Sequence, residues 1–527
     1  MSALVQTLEP PRYTMVPMTP EEPSDVFADM PELLLSGPRA GEAAAAADFS
    51  AISGLPLTED IGHRELAAVP AASSEALPEA RFGQLPNGVR VVAVDRQGLC
   101  ASLGLFVHAG SRHEAPEDSF LPHALELMAF RSSAHLSHIR TMKTLEQLGA
   151  AASCRVGRED ILYQFDVLRE YVPIALPLML ANVLCPSILP EEVAAAHEHV
   201  AEVRQNLETN VESLVSELLH LTAYRGNTLG NELYADEKDL PRFTAEAING
   251  YLQRECTPDK LIVVGVNVDF DELCKWTARS FAEHGVAATA PSAPATVREM
   301  AKAVYTGGYF TMEKPDPLCH LMLGWEVEGG WNGPLLASVT VLQMFLGGGG
   351  SFSTGGPGKG MHTRLYTEIL NRHQWVESCQ ASSAMYADTG LFTIYGTILP
   401  KHCKDFVTVL ANIFKSLVSI TPEELQRAKN ALKSSIHMNL EMRAVMMEDI
   451  GRQLILSGKV GTASEFGRMV DAVTAEDLRQ CVRSCLRSAP TVVAYGAIES
   501  VPTYEAIQRQ LAAIPGVSPE PGAPPRA

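Results

Sequence analysis

The sequence predicts an α+β protein made of two similar α/β sandwich domains that a linker joins. Three observations support this prediction. The order strand, strand, helix occurs twice, once after residue 81 and again after residue 301. A segment of small residues and prolines, GVAATAPSAPAT at 285–296, separates the two occurrences. In each half the strand patterns come first and the helix patterns follow, which is typical of sheets covered by helices.

The strand and helix patterns can be followed in order along the chain. In the first half the Asn87-Gly88 turn precedes an alternating apolar strand. A strand over Cys100–Ala109 and a helix from about Phe120 to Ser133 are expected next. In the second half we expect strands over Ala303–Met312 and Cys319–Val327, then helices over Gly333–Leu346 and Pro422–Leu440.

The chain is therefore predicted to have five segments. They are an acidic, Pro- and Ala-rich N-terminal arm (1–80), a first domain (81–284), a linker (285–300), a second domain (301–510) and a disordered tail (511–527).

Composition excludes some classes of function. The chain carries 62 acidic and 42 basic residues, a formal net charge of −20, which argues against a nucleic-acid partner. A basic ligand suits this charge better, although the arm alone has 13 acidic against 3 basic residues, which is half of the excess. The ten cysteines form no CxxC pair, so a reducing compartment is expected.

No membrane span or typical targeting segment is predicted. The run Val172–Leu189 is uncharged, but it contains Pro173, Pro177 and Pro186, so a buried helix is expected there. The arm carries acids near its start, whereas transit peptides are poor in acids. The position of any targeting signal therefore stays open.

An incomplete zinc motif lies on the helix predicted near residue 120. In SFLPHALELMAF, His123 and Glu126 are three residues apart and Leu127 follows. With histidine in place of Leu127 the run would be H-x-x-E-H, in which two imidazoles hold zinc and the glutamate activates the bound water.

The amino-acid sequence around this motif resembles that of the pitrilysin-type peptidase family, M16. The resemblance rests on HAGSRHE, SFLPHALELMAF and TLEQLGA, and it covers nearly all of residues 82–510. It implies that the third zinc ligand, a glutamate in active members, falls at about Val203, with Glu202 beside it. Two of the three ligands are then replaced, at Leu127 and Val203, so we expect neither catalysis nor a metal in this chain. Substitute ligands are improbable, and the histidines considered for that role are His135, His138, His197 and His199.

A glycine-rich segment marks the second half. Eight of the fourteen residues from Gly347 to Gly360 are glycine. This composition predicts a mobile loop or one that approaches a ligand's backbone closely. A phosphate-binding loop is disfavoured, because the spacing that ends at Gly358-Lys359 puts Ser353 and Gly360 at positions that require Gly and Ser or Thr. A plain flexible linker is the alternative.

This segment resembles the glycine-rich loop of the non-catalytic, α-type processing-peptidase subunits of the family. The resemblance implies presequence binding by Gly347, Gly348, Gly349, Gly350, Ser351, Phe352, Gly355, Gly356, Pro357, Gly358, Lys359 and Gly360. It also implies a homologous β partner that carries the zinc, and a mitochondrial location in the matrix or on the matrix face of the inner membrane.

Three hypotheses follow from these resemblances. The first is a substrate-recognition subunit without its own catalysis. The second is a core subunit of the respiratory bc1 complex with cytochrome b and cytochrome c1 as neighbours, either in addition to the first role or as a purely structural protein. The third and least favoured is an active zinc peptidase.

Overall fold

The computed structural model describes residues 80–283, 301–350 and 360–514. Almost all of the predicted arm, the whole predicted linker, residues 351–359 of the glycine-rich segment and most of the predicted tail lie outside these residues.

The first half forms a six-stranded sheet with helices. Its strands are β1 (Arg81–Gln84), β2 (Arg90–Val94), β3 (Cys100–Val107), β4 (Ala151–Val156), β5 (Ile161–Leu168) and β6 (Leu261–Val266), in the order β1-β2-β6-β3-β5-β4. Its helices are α1 (Leu121–Leu127), α2 (His138–Leu148), α3 (Val172–Leu184), α4 (Pro190–Thr209), α5 (Val211–Tyr224), α6 (Ala245–Glu255) and α7 (Phe270–Glu283).

The second half forms a sheet of the same design. Its strands are β7 (Gly308–Glu313), β8 (Cys319–Glu328), β9 (Gly348–Gly350), β10 (Val376–Met385), β11 (Thr389–Ile398) and β12 (Thr491–Gly496), in the order β7-β12-β8-β11-β10-β9. Its helices are α8 (Leu336–Leu346), α9 (Cys403–Ser416), α10 (Pro422–Glu441), α11 (Arg443–Ser457), α12 (Ala463–Ala472), α13 (Ala475–Arg487) and α14 (Tyr504–Ala512). A turn of π-helix covers Tyr366–Leu370.

The two sheets confirm the predicted duplication and the α+β class. The order β2-β6-β3-β5-β4 matches β7-β12-β8-β11-β10 strand for strand. The first two strands of each series are parallel to each other, and the remaining neighbours are antiparallel. The sheets differ at their ends, because β1 extends the first and the glycine strand β9 extends the second.

Each half contributes one helix to the other half's sheet. Helix α5 packs Val215 and Leu219 against Met322 and Val493 of the second sheet. Helix α11 packs Met447 and Leu454, among others, into a cluster with residues of the first sheet such as Phe106. The packing therefore crosses the predicted domain boundary in both directions.

A buried ion network also joins the halves. The Arg112 guanidinium donates to both carboxylate oxygens of Asp388 at 2.8 Å and to Glu159 at 2.5 Å. Glu159 in turn accepts the backbone N–H of Ala387. Because Arg112 and Glu159 are almost fully buried, this network fixes the second half against the first.

Several predicted boundaries need correction. The helix predicted from Phe120 to Ser133 ends at Leu127, because the chain turns at Phe130, whose N–H is held by the Asn182 side chain at 2.6 Å. The strand predicted from Ala303 begins only at Gly308, and the helix predicted from Gly333 begins at Leu336.

The apolar run that begins at Val172 forms the buried helix α3, with Pro177 inside it. In the described parts of the chain, no helix combines the length and the apolar character needed to cross a bilayer. All ten cysteines are free thiols.

Candidate functional site

His123 is sealed inside the first half. The side chain is only 1% exposed, and its Nδ1 accepts the backbone N–H of Ala235 at 3.2 Å. The rings of Tyr234 and Phe243 pack edge-on against the imidazole. Burial lowers the pKa of His123 to about 4, so the ring is neutral at pH 7. His123 is therefore a buried, hydrogen-bonded group and does not lie on an exposed helix face.

The contact with Ala235 also opposes metal binding by His123. An Nδ1 atom that accepts a hydrogen bond places the ring proton of a neutral imidazole on Nε2. A metal-bound histidine instead uses one nitrogen lone pair for the metal and donates the other N–H to an oxygen. The imidazole is therefore held in a tautomer that has no lone pair left for a cation.

Glu126 lies between α1 and the edge strand β4. Burial raises its pKa to about 7, although the Val156 backbone N–H and the nearby Arg155 charge act in the opposite direction. The next residue, Leu127, packs against the apolar core of the first half. At neutral pH Glu126 is therefore a partly protonated carboxyl beside an apolar side chain.

The position expected for the third ligand carries no ligand atom. Val203 is half-buried on α4, and its exposed neighbour Glu202 contacts His199 at 3.3 Å. Of the other histidines considered, His138 contacts the carbonyl of Phe130, and His197 contacts that of Phe243. Within residues 80–283, 301–350 and 360–514, no three His, Cys, Asp or Glu side chains are placed to hold a metal ion.

The start of the glycine-rich segment is a strand and not the predicted loop. Gly348–Gly350 forms β9, which pairs antiparallel with β10, so that Gly349 lies opposite Cys379. Gly347 and Gly348 have φ values of 63° and 115°, which favour glycine, and a Cβ on Gly348 would collide with the Cys379 carbonyl oxygen. The glycines are thus needed for this close approach to β10.

The two ends of the glycine-rich segment are clamped together. Arg364 donates two hydrogen bonds of 2.8 Å to Glu424 and stacks over the ring of Phe345. Thr363 lies against Gly347, where an added Cβ would come within 2.5 Å of its side chain. These contacts form the base of the segment, and they hold together the described chain before and after residues 351–359. Ser351, Phe352, Gly355, Gly356, Pro357, Gly358 and Lys359 lie outside the described residues, whereas Gly360 precedes the clamp.

Arg364 and Glu424 were not among the site residues predicted from the sequence. A signal was present in TPEEL, because Thr421 and Glu424 form a capping box at the start of α10. That signal explains the helix but does not reveal that Glu424 also holds Arg364.

Two models of one peptidase family match this chain. A family model described as insulinase (peptidase family M16) matches residues 90–237, and one described as the peptidase M16 inactive domain matches residues 242–432. The class is therefore a duplicated peptidase fold whose H-x-x-E-H motif has Leu127 in place of the second histidine. The chain belongs to peptidase family M16, which confirms the resemblance seen in the sequence.

Its relatives include α subunits of the mitochondrial processing peptidase. The potato α subunit is 34% identical over 430 residues, covering 80% of this chain and 83% of the relative. A probable α-2 subunit from Arabidopsis thaliana is 33% identical (81% and 84% covered), and the human α subunit is 33% identical (83% and 86% covered). Among solved structures, a chain of complex III2 from Candida albicans has a TM-score of 0.68 at 19% identity, over 82% of this chain and 100% of that one.

Proposed function

We propose that this chain is the non-catalytic, substrate-recognition subunit of a mitochondrial processing peptidase. It binds presequences through Gly347–Gly360, and a homologous β partner carries the zinc and cleaves them. The proposal places the chain in mitochondria, in the matrix or on the matrix face of the inner membrane. It retains the predicted division into a first domain (81–284) and a second domain (301–510).

The state of the zinc motif is the observation that carries this proposal. His123 offers its accepting nitrogen to Ala235, and Leu127 and Val203 have no atom that can coordinate zinc. The glycine-rich segment nevertheless keeps its full length and a clamped base. Loss of the catalytic motif together with retention of the glycine-rich segment favours recognition without hydrolysis.

Shortening the glycine-rich segment tests this role. We expect removal of residues 351–359 from the heterodimer to weaken presequence binding and cleavage at least tenfold, because the recognition element is lost. The matched control is Glu126→Gln in this chain, which leaves cleavage within about twofold, whereas the corresponding change in the partner abolishes it. Unchanged binding and cleavage after the shortening would refute the proposal.

A second function is supported by the likeness to a complex III chain. That likeness concerns the fold alone, so the proposal is limited to a core-subunit role in a bc1 complex, with or without processing activity. Purification of the native assembly decides between the possibilities. Cytochrome b, cytochrome c1 and haem that co-purify with this chain would establish membership, and a heterodimer without them would exclude it.

A further inference from the structure

Strand β7 is the edge of the second sheet that lies farthest from the glycine strand. The Gly308 N–H donates to the Pro490 carbonyl at 3.3 Å, and the Lys314 N–H donates to the Gly496 carbonyl at 3.1 Å. Alternate residues of a strand direct their main-chain groups to the same side, so the even-numbered residues of β7 face β12. The odd-numbered residues direct their N–H and C=O groups away from the sheet, and in the described part of the chain no strand pairs with them. They are Tyr309, Thr311 and Glu313.

In the first sheet a strand occupies the corresponding place. Strand β7 corresponds to β2 in the strand-for-strand match between the sheets, and β1 lies antiparallel on the outer side of β2. Phe82 of β1 lies opposite Val92 of β2. Among the described residues the second sheet has no counterpart of β1. The internal duplication therefore identifies the outer side of β7 as a place for one more antiparallel strand.

The chain that directly precedes β7 does not fill this place, because it is held elsewhere. Strand β1 directly precedes β2 in sequence, so a counterpart would lie directly before β7. Instead, the Ala301 carbonyl accepts a hydrogen bond of 2.9 Å from Arg112, and the Ala303 N–H donates to Asp388 at 2.9 Å. Asp388 lies between β10 and β11, and β8 and β12 separate those strands from β7. The ion network between the halves thus holds this segment away from the edge.

The side chains of β7 suit a partly apolar segment. Phe310 and Met312 are half-buried and pack against the apolar cluster that α5 forms with the second sheet. Exposed edges are usually protected by charged side chains, prolines or bulges. Strand β7 has no proline and no bulge in its pairing with β12, and its one charged residue, Glu313, stands at its end. Apolar side chains of an added strand would therefore contact Phe310 and Met312, and a basic side chain would suit Glu313.

We propose that an extended segment of a separate subunit binds on the outer side of β7 as an additional antiparallel strand. Main-chain hydrogen bonds to the odd-numbered residues of β7 hold the segment, and its alternate apolar side chains pack beside Phe310 and Met312. The chain's own C-terminal residues 515–527 are ill suited to this role, because five of the thirteen are prolines, which cannot donate to a ladder. The inference goes beyond presequence binding, because β7 and β9 are at opposite ends of the sheet.

Residue-resolved hydrogen exchange tests the strand addition by comparing the full chain alone with the assembly purified from its native source. In the chain alone we expect the amides of Tyr309, Thr311 and Glu313 to exchange about tenfold or more faster than the inward amides of β7. In the assembly we expect exchange of these three amides to slow about tenfold or more. Unchanged exchange of the three amides in the assembly would overturn the proposal. Slow exchange in the chain alone would also overturn it, because this chain would then cover its own edge.

A matched pair of variants at Thr311 gives a second test. Thr311→Pro removes the outward N–H, whereas Thr311→Ala keeps it. Mass spectrometry of the intact assembly measures which subunits remain bound. We expect the occupancy of one subunit to fall about fivefold or more with proline and less than twofold with alanine. Equal occupancy of every subunit in the two variants would contradict strand addition.

Photo-cross-linking identifies the occupant of the edge. The assembly is formed with p-benzoylphenylalanine in place of Thr311 and irradiated, and the cross-linked peptides are sequenced by mass spectrometry. We expect a cross-link to a peptide of another subunit. A cross-link within this chain, or to a second copy of it, would contradict the assignment of the edge to a separate subunit.

Discussion

A single backbone contact opposes metal binding by the His123 imidazole. The Ala235 N–H occupies the accepting nitrogen, and the surrounding rings keep the imidazole neutral. Restoring one ligand to the motif leaves this contact in place, and Val203 still lacks a carboxylate. Three separate residues, His123, Leu127 and Val203, therefore oppose metal binding at this motif.

A one-residue repair is expected to fail. Leu127→His recreates H-x-x-E-H in sequence, but we expect less than about 0.1 zinc per chain, because one additional imidazole is too few for a tetrahedral site with three protein ligands. Metal analysis after dialysis measures this, with the unaltered chain as control. Stoichiometric zinc in the variant would show that His123 can release Ala235 and coordinate the ion.

Glu126 makes stability depend on pH. Its pKa is about 7 in the folded chain, above the ordinary value of 4.5, so the folded state binds this proton more tightly than the unfolded state. The carboxyl therefore costs stability increasingly as pH rises from about 4.5 to about 7. We expect Glu126→Gln to stabilise the chain by about 3 kcal/mol at pH 8 and by less than about 1 kcal/mol at pH 5.

Denaturant unfolding at the two pH values measures this difference. The control is Glu202→Gln, which alters an exposed carboxylate and should change the free energy of unfolding by less than about 0.5 kcal/mol at either pH. A stabilisation by Glu126→Gln that is equal at pH 5 and pH 8 would contradict the assigned titration.

At the scale of elements, the contacts at the base hold the described chain on both sides of the glycine-rich segment. Arg364 bridges the end of the segment to α10 through Glu424 and to α8 through Phe345. Charge-assisted, bidentate pairs of this kind are among the stronger hydrogen bonds in proteins. The base therefore holds the chain that precedes the segment, at Phe345, to the chain that follows it, at Arg364.

Loss of this clamp should impair recognition more than the partner's chemistry. We expect Arg364→Ala to destabilise the chain by about 1–3 kcal/mol and to raise KM for presequence cleavage while kcat stays within twofold. The control is Arg372→Ala, because Arg372 is exposed and pairs with Glu368 outside the glycine-rich segment. If kcat falls as much as KM rises, or if both variants behave alike, the clamp does not position the segment.

The sequence predicted elements well where one periodicity was unambiguous. Strand β8 and helix α10 have the expected positions within one or two residues, because their apolar patterns are long. The prediction was wrong where a contact between residues distant in sequence determines whether an element forms or where it ends. Helix α1 is short because Asn182 holds Phe130, and β9 exists because β10 pairs with it. Glycines carry no side-chain pattern, so the local sequence does not predict such a strand.

At the scale of the whole molecule, the halves form one packed unit through exchanged helices and buried charge. An amphipathic pattern shows that α5 has an apolar face, but it cannot show which sheet receives that face. The residue types of Arg112 and Asp388 likewise do not reveal that they pair across 276 positions. The internal duplication was therefore predictable, and the contacts between the halves were not.

The buried network makes a large contribution to stability. Arg112→Ala leaves the buried Glu159 carboxylate and Asp388 without their guanidinium partner, and we expect a loss of about 3–5 kcal/mol in the free energy of unfolding. The control is Lys238→Ala, which removes an exposed pair with Asp236 and should cost less than about 0.5 kcal/mol. Similar losses in the two variants would show that the network does not hold the halves together.

Metal analysis of the separated subunits tests the central claim most directly. The heterodimer is purified, its two chains are separated under native conditions, and zinc and peptide hydrolysis are measured for each. We predict zinc near one equivalent in the partner, and neither retained zinc nor hydrolysis in this chain. One tightly held equivalent in this chain, with presequence cleavage in the absence of the partner, would contradict the assignment.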